Sequence, residues 1–106
     1  QKVAIIASGD LSHRLKPDAP AGYSPSGKAF DDRIVELLQA MDVRSMFDLE
    51  EKFVEAAGEC GLRPIFFLMG SMDGMEVNPN VLSYEGPFGV GYAVATFSIT
   101  RQRAKE

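Results

Sequence analysis

Apolar residues recur along the chain with different spacings, and each spacing predicts a different element. Val3-Ala4-Ile5-Ile6-Ala7 is a short unbroken run with β-branched members, ended by Ser8-Gly9-Asp10. A run of this kind fits a strand buried on both faces, as in an α/β sheet, and predicts a strand from about 2 to 7. Residues 16–27 (KPDAPAGYSPSG) carry three prolines and two glycines, too many for either regular element, so a long surface loop is expected there. Beyond it Phe30, Ile34, Leu37, Leu38 and Met41 fall at i, i+4, i+7, i+8 and i+11, the stripe of an amphipathic helix near 26–40. Ser24 offers an N-cap and Pro25 a favoured first-turn residue. A second helix is expected near 48–58, with Asp48 as cap, Glu51 reaching back at the third position, and Leu49, Phe53, Val54 and Ala57 on its buried face.

The second half is less uniform. The Gly58–Gly61 segment breaks the helical pattern, and Pro64-Ile65-Phe66-Phe67-Leu68-Met69-Gly70 is an apolar run that fits a buried strand or a buried helix equally well. Residues 73–80 read as turn-rich. A strand pair is expected near 80–85 and 90–99, because Tyr92, Val94, Thr96 and Ser98 alternate with the more apolar Ala93, Ala95, Phe97 and Ile99. Glu85-Gly86-Pro87-Phe88-Gly89 would join them as a hairpin-like connection. The expectation is an α/β fold, a mixed sheet flanked by helices.

Composition narrows the function classes. At 106 residues the chain is the size of one small domain; with no initiator Met before the first strand-like run, residues 1–106 read as a single domain or a fragment of a larger one. The formal net charge is −4 and the basic residues are scattered, apart from Arg101, Arg103 and Lys105 near the end. Nucleic-acid binding therefore has no electrostatic footprint. No apolar stretch approaches the ~20 residues of a membrane span, and a cytoplasmic location with no membrane partner is the expectation. A single cysteine, Cys60, rules out an intrachain disulfide and any multi-cysteine zinc site.

The stretch SGDLSHRL, residues 8–15, holds the one histidine. A histidine at the carboxyl end of a buried strand suits general acid or base work, since its unperturbed pKa lies near neutrality. The competing reading is a solvated loop in which Ser8, Asp10 and Ser12 satisfy the turn backbone and His13 has no role. Cys60 with His13 could form a thiolate pair, although most free cysteines behave as small buried hydrophobes. Gly86, Gly89 and Gly91 match neither a phosphate loop nor a dinucleotide fingerprint. A 2-His-1-carboxylate iron site needs two histidines, so this chain alone cannot build one.

Ser8-Gly9-Asp10-Leu11-Ser12-His13, followed by the Pro-rich loop, the two helices and Ala57-Gly58-Glu59-Cys60-Gly61-Leu62-Arg63-Pro64-Ile65, resembles the C-terminal portion of the LigB-type, class III extradiol ring-cleavage dioxygenase superfamily. The likeness runs from about residue 3 to residue 97 and is nearest to the version in the AmmeMemoRadiSam group, related to the Memo proteins. It implies a helix near 62–72. It also implies that His13 is an acid–base catalyst and not a metal ligand, that Glu59 is the best match to the family's glutamate ligand, and that two histidine ligands come from N-terminal segments of the same domain outside this chain. Memo-like relatives place a cysteine in the later motif, so Cys60 is the alternative ligand. Successive residues point in different directions, and both are not expected to reach one metal. The implied cofactor is Fe(II), with another divalent metal or copper as the alternative if Cys60 serves. The implied partners are a small aromatic diol and O2 in the intact parent, and a homo-oligomer stays open. Asp10, Ser12 and Tyr23 are substrate-pocket candidates, with Asp10 also read as a turn residue. The alternative function is a Memo-like metal-binding, redox or interaction protein that has lost ring cleavage.

Overall fold

A computed structural model describes residues 2–101. Its order of elements is α1 (Pro25–Ala40), α2 (Val43–Phe47), α3 (Glu51–Ala57), α4 (Leu62–Ser71), β1 (Glu76–Glu85) and β2 (Tyr92–Arg101). Helices thus combine with a two-stranded antiparallel sheet in an α/β mix.

α1 begins where the sequence places it. Ser24 has extended backbone and its side chain accepts the Ser26 N–H, satisfying one of the donors that a helix start leaves without a partner. Phe30, Ile34, Leu37 and Leu38 are buried along one face, and each such side chain contributes roughly 1.5–3 kcal/mol of apolar burial. The helix ends at Met41, whose left-handed backbone (φ 53°) directs its N–H to the Leu37 and Leu38 carbonyls.

The next segment departs from expectation. Asp42 caps a short helix α2 through Ser45, and Asp48 is the C-cap of that helix, so it does not start the following one. α3 begins instead at Glu51, with Glu50 as N-cap and no side-chain cap bond. The Asp48–Glu51 capping box is therefore not formed: α2 has already used the residues that would have led into it. Phe53 of α3 meets Phe30 of α1, ring centroids 6.0 Å apart. The ambiguous apolar run is helical, as α4, with Pro64 in its first turn and Met69 buried.

β1 is longer than the sequence suggests. Glu76 to Asn80 pair with β2, Pro79 standing opposite Phe97, so the turn-rich reading of residues 73–80 holds only before Glu76. Proline is tolerated because this is an edge strand. The Gln39 side chain of α1 lies along that edge, donating from Nε2 to the Pro79 carbonyl (3.0 Å) and accepting the Val81 N–H on Oε1 (2.9 Å). On β2 Ala93, Ala95 and Phe97 are half-buried while Val94, Thr96 and Ser98 are exposed, as the alternation predicts, but Ile99 of the same apolar face is 46% exposed near the end of the strand.

Residues 2–7 do not form the expected strand. They belong to no regular element, Val3 is 78% and Ile6 85% exposed, and no backbone hydrogen bond joins residues 2–9 to another described residue. A strand exists only by pairing, and the described residues offer this run no neighbour. The polar end, residues 102–106, lies outside the described residues.

Candidate functional site

The loop that carries His13 is stitched to the end of α3 and the start of α4. The His13 N–H donates to the Gly58 carbonyl (2.8 Å) and the Cys60 N–H to the Asp10 carbonyl (3.1 Å). Where the two segments cross, glycines face each other: a Cβ on Gly9 would lie 2.9 Å from the Gly61 Cα, and one on Gly61 2.8 Å from the Asp10 carbonyl oxygen. Any side chain at either position would push the two segments apart.

This crossing brings Asp10, His13 and Cys60 together. One donor atom from each lies within 4.8 Å of the others. The Cys60 Sγ stands 3.4 Å from His13 Nε2 and accepts the Asp10 backbone N–H at 3.1 Å. Cys60 is exposed, while Asp10 and His13 are half-buried. The sulfur thus has a backbone donor on one side and an imidazole nitrogen on the other.

The other sequence candidates are placed differently. The Glu59 carboxylate accepts the Leu62 N–H at 2.7 Å at the start of α4 and lies outside the three-residue group. Its neighbour Cys60 is the one that meets His13. Ser12 is fully buried, its hydroxyl donating to the Ala57 carbonyl (2.6 Å) and accepting the Arg14 N–H (3.0 Å), so it braces the loop and does not line an open pocket. Tyr23 is 55% exposed on the Pro-rich loop, directly before the Ser24 cap.

The sequence reading passed over two residues beneath this site. Asp31 of α1 is fully buried and accepts the Ser12 N–H on Oδ1 at 2.8 Å; the Tyr84 hydroxyl donates to its Oδ2. Burial pushes the Asp31 carboxyl above its ordinary value against the opposing effect of these bonds, and burial with the nearby carboxylate pushes Tyr84 up as well. A signal was present: Asp31 lies three residues before Ile34 and seven before Leu38, inside the apolar stripe where a charged residue is out of pattern.

An apolar groove of about 330 Å³ opens beside the site. Ile5, Ile6 and Ala7, Ile65 and Leu68 of α4, and Ala95 and Phe97 of β2 line it. No described helix is long and apolar enough to cross a membrane.

For a metal, the donor chemistry fits in part. A thiolate and an imidazole bound to one tetrahedral ion at about 2.3 and 2.0 Å would sit roughly 3.5 Å apart, close to the observed 3.4 Å. Such a set is three donors of this chain, with no second histidine available from it.

Comparison with known proteins places nearly the whole chain in one family. A profile of the family described as the catalytic LigB subunit of aromatic ring-opening dioxygenase matches residues 1–95. Protein CA_C1420 of Clostridium acetobutylicum is 42% identical over 109 aligned residues, covering all of this chain but only 23% of its own length. The chain therefore spans about a quarter of that relative. With nearly all of its residues matched, including both halves of the Asp10–His13–Cys60 crossing, the chain belongs to the LigB family of aromatic ring-opening dioxygenase catalytic subunits.

Proposed function

We propose that this chain supplies one side of the metal site of a dioxygenase-type oxidoreductase acting on a small aromatic diol, with the remaining ligands, including two histidines, contributed by the rest of a longer polypeptide. The observation that carries this reading is the convergence of Cys60 Sγ, His13 Nε2 and Asp10 at the crossing of the two family motifs. Cys60 is the metal-facing donor of this chain, Asp10 holds its sulfur through the backbone N–H, and Glu59 is occupied at the start of α4. Fe(II), when bound, supplies Lewis-acid and redox chemistry toward the diol and O2. His13 is half-buried and fixed by its N–H on Gly58, which suits it to take a proton from a diol hydroxyl and return one to the product. Alone, the 106 residues lack the ligands to turn over substrate.

One observation favours a second reading. The cluster is centred on a sulfur donor and not on the glutamate, and sulfur selects softer ions such as Cu(I). A Memo-like metal-binding or redox protein without ring cleavage would be built this way. Anaerobic reconstitution of the full-length polypeptide with Fe(II) or Cu(I), followed by a panel of catechols under O2, separates the two. Ring-opened products from the Fe(II) form support the dioxygenase. Tight Cu(I) binding lost on Cys60→Ser, with no product from any catechol, would replace it with the second reading.

A further inference from the structure

We propose that Asp31 is the positioning residue of this site, acting through Ser12 to hold His13 against Cys60. The inference rests on the reading above in taking His13 and Cys60 as the working pair.

A fully buried carboxylate is a costly choice for packing alone, and no Lys or Arg forms an ion pair with Asp31 among the described residues. Both of its oxygens are nevertheless used. Oδ1 accepts the N–H of Ser12, the residue directly before His13, and Oδ2 accepts the Tyr84 hydroxyl of β1. The Lys28 ammonium covers the outer face of the Tyr84 ring, 4.7 Å from its centroid. Gly91 completes the clamp. Its carbonyl accepts the Leu11 N–H (2.9 Å) and its own N–H donates to the Ser12 carbonyl (2.8 Å), and a Cβ there would overlap Asp31 Oδ2.

Ser12 is thereby held at its N–H, its carbonyl and its hydroxyl by α1, the β1–β2 connection and α3. With the preceding peptide fixed at every polar atom, His13 has little freedom to swing away from the sulfur. An apolar side chain at position 31 would fill the same space but leave the Ser12 N–H buried without a partner. Two acceptor atoms on a rigid helix are what the position requires, and polar networks that are fully satisfied specify one geometry.

The test is a coupling measurement in the full-length polypeptide, metal-free after chelation: the rate of Cys60 alkylation by iodoacetamide, resolved by peptide mass spectrometry, with and without His13→Ala. In the parent, His13→Ala should slow alkylation by about fivefold or more, because Nε2, 3.4 Å from the sulfur, is placed to take the thiol proton as the S–C bond forms and iodide leaves. In an Asp31→Leu background that factor should shrink below about twofold, as expected when two coupled residues lose their geometry. Asp31→Asn, which keeps an acceptor for Ser12, should retain it. So should Met46→Ala, a core variant of α2 that destabilises without touching the loop. Gly91→Ala, which displaces the carboxylate, should behave like Asp31→Leu and serves if the latter does not fold. An undiminished His13 factor in both Asp31→Leu and Gly91→Ala, or an equal loss in Met46→Ala, would overturn the positioning role. Absence of a His13 effect in the parent would overturn it together with the pair. Failure of every catechol to react, with the coupling intact, would overturn only the function proposed above.

Discussion

Two stretches less than ten residues apart behave in opposite ways. Residues 10–15 are anchored at nearly every backbone polar atom to α1, α3, the α3–α4 connection, the Pro-rich loop and the β1–β2 connection, yet they form no regular element. Residues 2–7 carry the stronger secondary-structure pattern and have no backbone partner among the described residues. Order in this molecule follows the availability of partners, not the strength of local propensity. The loop carries its own partners within the chain, whereas an apolar strand requires a neighbouring strand.

That contrast can be broken or sharpened by experiment. The largest effect is expected at the site: His13→Ala in the reconstituted full-length polypeptide should lower catechol turnover by about 10²–10⁴-fold with an unchanged thermal midpoint, since His13 is only half-buried. Retained turnover would reduce the loop to a structural device. Next comes the shared core. Phe30→Ala, at a residue with no exposure, should cost about 3–5 kcal/mol in denaturant unfolding. Ser12→Ala removes the hydroxyl that bridges the Ala57 carbonyl and the Arg14 N–H and should cost about 1–3 kcal/mol, much more than its size implies. At the quiet end, Ile6→Ser, at a position 85% exposed, should change the unfolding free energy of this chain by less than about 0.5 kcal/mol. A loss comparable to that of Ser12→Ala would mean that residues 2–7 are paired after all.

The pH dependence gives a subtler comparison. Because burial raises the Asp31 carboxyl above its ordinary 3.8, the folded protein holds this proton more tightly than the unfolded chain. Its contribution is therefore fully present below pH 3.8 and is lost as pH rises through the raised folded value. Unfolding free energy measured for the parent minus that for Asp31→Asn should fall over that window. A difference that is flat or rises with pH would show that the carboxyl stays ionised in the fold.

What could be read from the sequence was whatever is decided locally. The Ser24 cap, the Phe30–Ile34–Leu37–Leu38 face and the alternation of β2 depend on residues within a turn or two, and the structure reproduces them. Asp48 misled because two short helices compete for the same polar residues, and only the packing of Met46 into the core decides between them. At the site, the order of the SGDLSH and GECGLRP motifs pointed to the family, and the structure places His13 beside Cys60. That Cys60 faces the loop while Glu59 turns to the first turn of α4 was not legible, since nothing in the sequence orients two adjacent side chains. Asp31 was passed over, because its partners are 19 and 53 positions away.

The side-chain amide of Gln39 mimics one more residue of sheet along the outer side of β1. Its consequence is a hairpin with handed growth. At Pro79 and Val81 that flank is already paired by a side chain, so a strand added there would first have to displace the amide, whereas the β2 flank carries no such group among the described hydrogen bonds. Gln39→Ala would leave the Pro79 carbonyl and the Val81 N–H open along that flank.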